Sequence, residues 1–359
     1  MKQNLQILSY IFIGLLLLST PAYTEETKAK PEKKTFVLGD NRMPAHIPGI
    51  KQPEKFLRSI YLHSTNGSRL SYIKKIIPKA KEANINCFVI DVAPYKSMSP
   101  RINPEVVQEL LANDIFPIAR IVTFQYGLEN TTVPQAHLDK VNHLVDSALK
   151  AGFKEIQLDY IRYADNYYGM PLKKKYAFIS SLLGTVRERI TDPAIFLSTD
   201  VFGRIVYNKD DVIGQKLESM AEHAQVICPM VYPSHYYPDR FKLRNPYFTV
   251  RQSTLKGLNR IGTKTYIMPY IQAFRMNLSY TRMTLPQYME AQVQAVEDTA
   301  ARGWIFWSAN NKYEPVFKML KEFYAKNPQN LGNNPSGYNT ATGEIKAEAE
   351  ERGKKSAER

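Results

Sequence analysis

Cysteine is almost missing from this chain. Its 359 residues hold only Cys87 and Cys228, each inside an apolar run, Asn86-Cys87-Phe88-Val89-Ile90 and Val226-Ile227-Cys228-Pro229-Met230. Two thiols exclude a disulfide framework and are too few for a cysteine metal centre. They read as small buried core residues. Histidine is scarce as well, with six copies. None stands in a His-Glu-x-x-His pattern, and no cluster of histidines and carboxylates has metal-ligand spacing. There is no phosphate-binding loop, no Gly-x-Ser-x-Gly elbow, and no Gly-x-Gly-x-x-Gly after a strand. No metal and no cofactor is therefore expected. Basic runs interleaved with aromatics are also lacking, so no nucleic-acid partner is expected. The formal net charge of +14 is spread along the chain. It reads as solvated surface, with attraction to an anionic envelope surface as the alternative.

The ends of the chain read as accessory segments. Lys2, the apolar run from Leu8 to Leu18 and the small-residue region Pro21-Ala22-Tyr23-Thr24 form a signal-peptide pattern over residues 1–24. The run is short for a membrane span. The expectation is export to the periplasm, the cell surface or the medium. Residues 25–54 are rich in Lys, Glu and Pro and read as a linker. Residues 327–359, rich in Asn, Gly and Pro and then in mixed charge, read as a disordered tail.

Between them, over residues 55–326, strand and helix patterns alternate. Apolar strand-like runs cover Leu57 to Leu62, Cys87 to Val92, Ile115 to Val122, Glu155 to Ile161, Ile195 to Asp200, Val226 to Tyr232, Thr265 to Ile271 and Trp304 to Trp307. Helical patterns follow each, at Leu70 to Ala83, Pro104 to Ala112, Leu138 to Ala151, Leu172 to Ile190, Ile213 to His223, Tyr247 to Leu258, Leu285 to Ala301 and Pro315 to Tyr324. Near-continuous apolar strands need cover on both faces. Eight strand–helix units are what a single-domain (β/α)8 barrel requires, an α/β fold of the TIM type.

In such a barrel, chemistry sits where the strands run out. The fourth strand ends in Asp159 with Arg162 shortly after it, and the fifth ends in Asp200. Two carboxyl groups at one barrel mouth suit glycoside hydrolysis. The other strand ends give Asp91, Arg120, Tyr232, His235, Gln272, Trp307 and Asn310, aromatic faces and hydrogen-bonding groups of the kind that bind sugars. Arg162 or Arg120 would favour the ionised form of Asp159. Plainer roles exist for several of these. Asp159 can be a salt-bridge partner of either arginine, Asp200 a helix cap, Asp91 a ligand of loop amides, and Trp307 core packing.

The chain resembles a bacterial family of glycoside-hydrolase-like TIM barrels, a domain of unknown function distantly like α-amylase-type glycosidases. The resemblance is carried by Gly152-Phe153-Lys154-Glu155-Ile156-Gln157-Leu158-Asp159-Tyr160-Ile161-Arg162, by Ser198-Thr199-Asp200-Val201-Phe202-Gly203, by Ile213-Gly214-Gln215 and by Cys228-Pro229-Met230-Val231-Tyr232-Pro233-Ser234-His235-Tyr236. It implies a glycosidase, with Asp159 as nucleophile and Asp200 as general acid/base, acting on a polysaccharide or cell-envelope glycan. The chain departs from the family at Ala93-Pro94-Tyr95-Lys96, in the short Thr123–Pro134 segment without Trp, and at Tyr270. These departures fall at the expected cleft and keep open an alternative, a barrel that binds envelope glycan without turnover.

Overall fold

The computed structural model describes residues 50–339, apart from Gln52, Tyr95 and Thr131. The expected signal segment, nearly all of the linker and residues 340–359 lie outside the described residues. The strands are β1 (Leu57–Leu62), β2 (Cys87–Asp91), β3 (Phe116–Val122), β4 (Glu155–Asp159), β5 (Phe196–Phe202), β6 (Val226–Met230), β7 (Tyr266–Ile267), β8 (Tyr270–Gln272) and β9 (Gly303–Trp307). All pairings are parallel, and β5 pairs with both β4 and β6, so the sheet closes on itself. β7 and β8 are two pieces of the seventh stave, expected as one strand from Thr265 to Ile271. Pro269 stands between them and has no N–H for the ladder, although its carbonyl still accepts from Ile305 N. The result is the expected (β/α)8 barrel.

The helices are α1 (Ser64–Gly67), α2 (Leu70–Glu82), α3 (Pro104–Ala112), α4 (Gln135–Ala151), α5 (Leu172–Arg189), α6 (Leu217–Met220), α7 (Arg240–Arg244), α8 (Pro246–Ile261), α9 (Leu285–Glu297) and α10 (Glu314–Lys326). Local signals fix their ends. Asn103 caps α3 through Glu105 N ahead of Pro104, and Thr284 with Gln287 forms a capping box on α9. The helix expected over Ile213 to His223 shrinks to α6, because Gly214 takes a φ of 76° and breaks the helical path.

Period-two alternation along the strands creates two cores. Ile156 and Leu158 face the helices with Phe88, Ile90 and Val201. The other set fills the barrel, with Val89, Ile118, Cys228, Met268 and Ile305 at its heart. Both cysteines are buried, as expected. β4 is the exception to apolar filling, since its inward residues are Glu155, Gln157 and Asp159. At the barrel floor Glu155 pairs with Arg302 at 2.5 Å, and the guanidinium lies 4.7 Å from the Phe196 ring. At mid-height Gln157 accepts from Tyr270 OH at 2.6 Å and donates to Cys228 Sγ at 3.3 Å. Asp159 stands at the mouth. Each polar side chain of this stave has at least one partner, while Glu155 Oε1 is a buried oxygen without one.

The chain beyond Lys326 corrects the expectation of a tail that is disordered from residue 327. Residues 327–339 fold back onto the barrel floor. Arg58, on β1, donates to the carbonyls of Asn330 at 2.5 Å and Gly332 at 3.1 Å. Asn330 Nδ2 donates to Glu297 Oε2 at 2.8 Å, while Tyr324 OH and Trp304 Nε1 donate to Glu297 Oε1. Removing this segment strips a buried arginine of two acceptors and a buried glutamate of a donor. Each such loss costs about 1–3 kcal/mol. A chain stopped after Lys326 should therefore melt well below one carried to Asn339, read by circular dichroism. Equal melting would show that the segment adds nothing.

Candidate active site

The mouth of the barrel is organised by one guanidinium. Arg120 rises from β3 between β2 and β4. Its Nη1 meets Asp91 Oδ1 at 2.5 Å, its Nη2 binds Asp159 Oδ2, and its Nε meets Asp200 Oδ2 at 3.3 Å. The three acids come from β2, β4 and β5, which stand in one run of neighbouring strands with β3. Asp91 also accepts from Tyr61 OH at 2.5 Å, and Asp159 Oδ1 accepts from Tyr160 N at 2.5 Å. Tyr160 has a φ of 55°. This left-handed turn directs its amide back at the carboxylate, and it is a conformation that bulky residues seldom adopt.

Charge arithmetic constrains this cluster. Three ionised carboxylates on one guanidinium would leave two negative charges in excess, where Asp159 and Asp200 are 2% and 1% exposed. A buried ion costs several kcal/mol unless compensated. Asp200 is the least compensated, since its Oδ1 is buried without a hydrogen-bond partner. Burial first, and the charge of Asp159 second, push its pKa well above the ordinary carboxylate range. Burial also raises Asp91, against the opposing pull of Arg120 and Tyr61. Arg120 is held protonated, since Asp91 and Asp159 outweigh its own desolvation.

Above the acids opens a cavity of about 450 Å³, lined by Arg120, Asp159, Tyr160, Asp200, Phe202, Gln215, Met230, Tyr232, His235, Tyr270, Phe274, Met276, Trp307, Ser308, Ala309 and Asn310. That volume lies within the usual range of small-molecule sites. Its wall is an aromatic cluster. Phe274 sits 5.4 Å from Trp307 and 5.5 Å from Tyr232, and Tyr232 packs 4.9 Å from His235. Burial lowers the His235 pKa, which favours the neutral ring.

Of the residues expected at the site, Asp159, Asp200, Arg120, Tyr232, His235, Trp307 and Asn310 line this cavity. Asp91, Arg162 and Gln272 do not. Asp91 holds Arg120 from behind. Arg162 pairs with Asp165 at 3.2 Å rather than with Asp159, and lies against the Phe202 and Tyr160 rings. Gln272 is fully buried. Its amide accepts from Ser234 N and donates to the carbonyls of Phe274 and Met276, bracing two rim loops. Asp200 is not a helix cap, since its side chain goes to Arg120. Gln215 was not expected in this role. It donates to Asp200 O and accepts from Phe202 N, each at 3.1 Å, fixing the end of β5. Tyr61, Tyr160 and Tyr270 were missed as well. A polar residue every second position in β4 was the available signal for Tyr270, because Gln157 needs a partner.

The family described as "Putative glycosyl hydrolase domain" matches residues 130–313, just over half of the chain and inclusive of Asp159 and Asp200. No curated protein matches the chain in sequence. Among solved structures, the spore cortex-lytic enzyme SleL of Bacillus megaterium QM B1551 is 11% identical, with a TM-score of 0.52 over 76% of this chain and 74% of that one. An endo-β-1,4-mannanase from Thermotoga petrophila is 12% identical, with a TM-score of 0.53 over 77% of each chain. A GH18 chitinase from Cycas revoluta, in complex with (GlcNAc)3, is 13% identical, with a TM-score of 0.51 over 75% of this chain and 99% of that one. At such identities these similarities establish the barrel fold.

The raised pKa of Asp200 has a consequence for stability. Between the ordinary carboxyl value and the raised one, the folded chain binds more protons than the unfolded chain. Stability therefore falls as pH rises through that window and stays reduced above it. Each unit of elevation corresponds to about 1.4 kcal/mol. Asp200→Asn should melt at or above wild type near pH ~8, with the advantage shrinking towards pH ~3, where the acid is largely protonated in both states. Thermal melts across pH check this. A variant less stable than wild type only at high pH would reverse the sign.

Proposed function

The chain belongs to the family described as "Putative glycosyl hydrolase domain", and from that premise we propose that it hydrolyses glycosidic bonds of a polysaccharide or cell-envelope glycan through Asp159 and Asp200. The observation that carries this reading is the unequal surroundings of two acids bound to one arginine. Asp159 has donors on both oxygens, from Arg120 and Tyr160 N. Asp200 has one oxygen without a partner and a raised pKa. Two acids in unequal surroundings can divide acid and base work.

In the proposed reaction, Asp200 gives its proton to the glycosidic oxygen as the bond to the anomeric carbon breaks. Asp159 stabilises the positive charge that develops on the sugar, either by bonding to the anomeric carbon or across a water. Trp307, Tyr232 and Phe274 offer faces to the sugar rings, and His235, Ser308 and Asn310 offer polar atoms to hydroxyls. Asp91 and Tyr61 hold Arg120 in place and touch no substrate. Export belongs to the same proposal, resting on the apolar run near the N-terminus, and a net charge of +14 suits association with an anionic envelope.

One observation favours the alternative of a binding barrel without turnover. Both acids are nearly inaccessible, and each is bonded to Arg120. Leaving-group dependence separates the two readings. Release of reducing ends from envelope glycan should fall by roughly 10²–10⁴ in Asp200→Asn. Aryl glycosides with acidic phenol leaving groups, which need little protonation, should lose far less. Asp159→Asn should lose activity on both. Glycan retention without any release, equal in wild type and both variants, would establish the binding reading.

A further inference from the structure

Two loops that line the cavity also leave it together, and each carries an exposed tyrosine. The loop after β6 contributes His235 to the cavity wall and, two residues on, Tyr237. The loop after β8 contributes Met276 and, four residues on, Tyr280. Tyr237 is 58% exposed and Tyr280 37%, and their rings meet with centroids 6.1 Å apart. Met276 is itself 53% exposed while lining the cavity, so the loops that bear the ring pair also form part of the cavity wall.

The pair stands on a rigid base. Asn277 Nδ2 donates to Ser234 O at 3.0 Å and joins the two loops. Gln272 binds both loops from below. Tyr236 OH donates to Gly203 O at 3.2 Å, and a Cβ at Gly203 would lie 2.4 Å from Met230 O, so only glycine admits this approach. Arg244, on α7, donates to Tyr280 O at 3.2 Å. Adjacent aromatic rings left in solvent on braced loops forgo hydrophobic burial. Such preorganised rings suit a ligand with apolar faces and a polar rim. A pyranose ring has that shape.

Resting on the glycosidase reading, we infer that Tyr237 and Tyr280 form a distal subsite for a linear glycan whose cleaved linkage lies over Asp159 and Asp200. The pocket takes the sugars beside the scissile bond. Met276 carries the chain over the rim, and the tyrosine pair holds further sugar units outside. The substrate is thus a polymer rather than a disaccharide.

The test is affinity as a function of chain length. The probes are β-1,4-linked oligosaccharides of about two to six units in the glucan, mannan and N-acetylglucosamine series, together with glycan strands from bacterial peptidoglycan, titrated calorimetrically into the full-length protein. In at least one series the longer oligomers should bind more tightly than the shorter ones. Tyr237→Ala with Tyr280→Ala should reduce that long-to-short ratio about ten-fold, and Tyr237→Phe with Tyr280→Phe should restore it, since rings rather than hydroxyls form the platform. Equal loss on short and long oligomers, an unchanged ratio, or no binding in any series would overturn the inference. Reducing-end release under the same conditions separates the two ideas. Length-dependent binding without release rejects hydrolysis and keeps the platform. Release with an unchanged ratio keeps hydrolysis and rejects the platform.

Discussion

Three carboxyl groups share one arginine, and the rest of the molecule answers to that imbalance. Arg120 cannot neutralise Asp91, Asp159 and Asp200 at once. In a nearly dry barrel mouth the excess charge must be held off by protons. The cluster exists because the sheet sets β2 and β4 beside β3, and β5 next to β4, so fold and electrostatics are inseparable here. It is also self-sufficient. The positive charge at its centre comes from the chain, and its orientation comes from Tyr61, the Tyr160 amide and the Gln215 brace under Asp200. An excess of buried acids is unfavourable for folding wherever the acids ionise.

The opposite end of the barrel is arranged differently. Arg302 with Glu155, and Arg58 with Glu297, are buried ion pairs under the floor. There the charges balance one for one, and most of the remaining donors and acceptors are taken up by tyrosine, tryptophan and asparagine side chains. The mouth differs in its charge balance, with three acids on one arginine. Between the two lies the apolar middle of the barrel, crossed by polar groups mainly at Gln157. That difference in charge balance distinguishes the two ends better than burial does, since Glu155 and Glu297 are as inaccessible as Asp159.

Much of this was legible in the sequence. Eight apolar runs with helical patterns between them gave the barrel, and the acids at the ends of β4 and β5 gave the pair at its mouth. Strand-end position is a property of local pattern, so it can be read without coordinates. Choosing between Arg120 and Arg162 could not be done that way. Arg162 is closer in sequence to Asp159, yet the turn at Tyr160 carries it behind the wall, while Arg120 reaches across from the neighbouring strand. Gln272 misled for a related reason. An amide at a strand end suits a sugar hydroxyl as well as it suits loop carbonyls, and only the path of the loops decides. The segment 327–339 looked like solvent-exposed chain by composition. Its fixed position depends on Arg58 and Glu297, hundreds of residues and one helix away in sequence.

The braced loops connect these threads. A glycosidase that worked on one or two sugars would have no need of a rigid surface beyond its pocket, and flexible rim loops would serve to admit and release substrate. Here the rim after β6 and β8 is fixed by Gln272, Asn277 and Tyr236, and the cost of burying a polar amide under each loop is met in full. Rigidity of that kind lowers the entropy lost when an extended ligand settles across it. In the proposed reaction, binding energy gained outside the pocket would help to hold the sugar over Asp200. The same buried amide that sequence reasoning assigned to sugar contact therefore serves the substrate indirectly, by fixing the surface along which a glycan chain would lie.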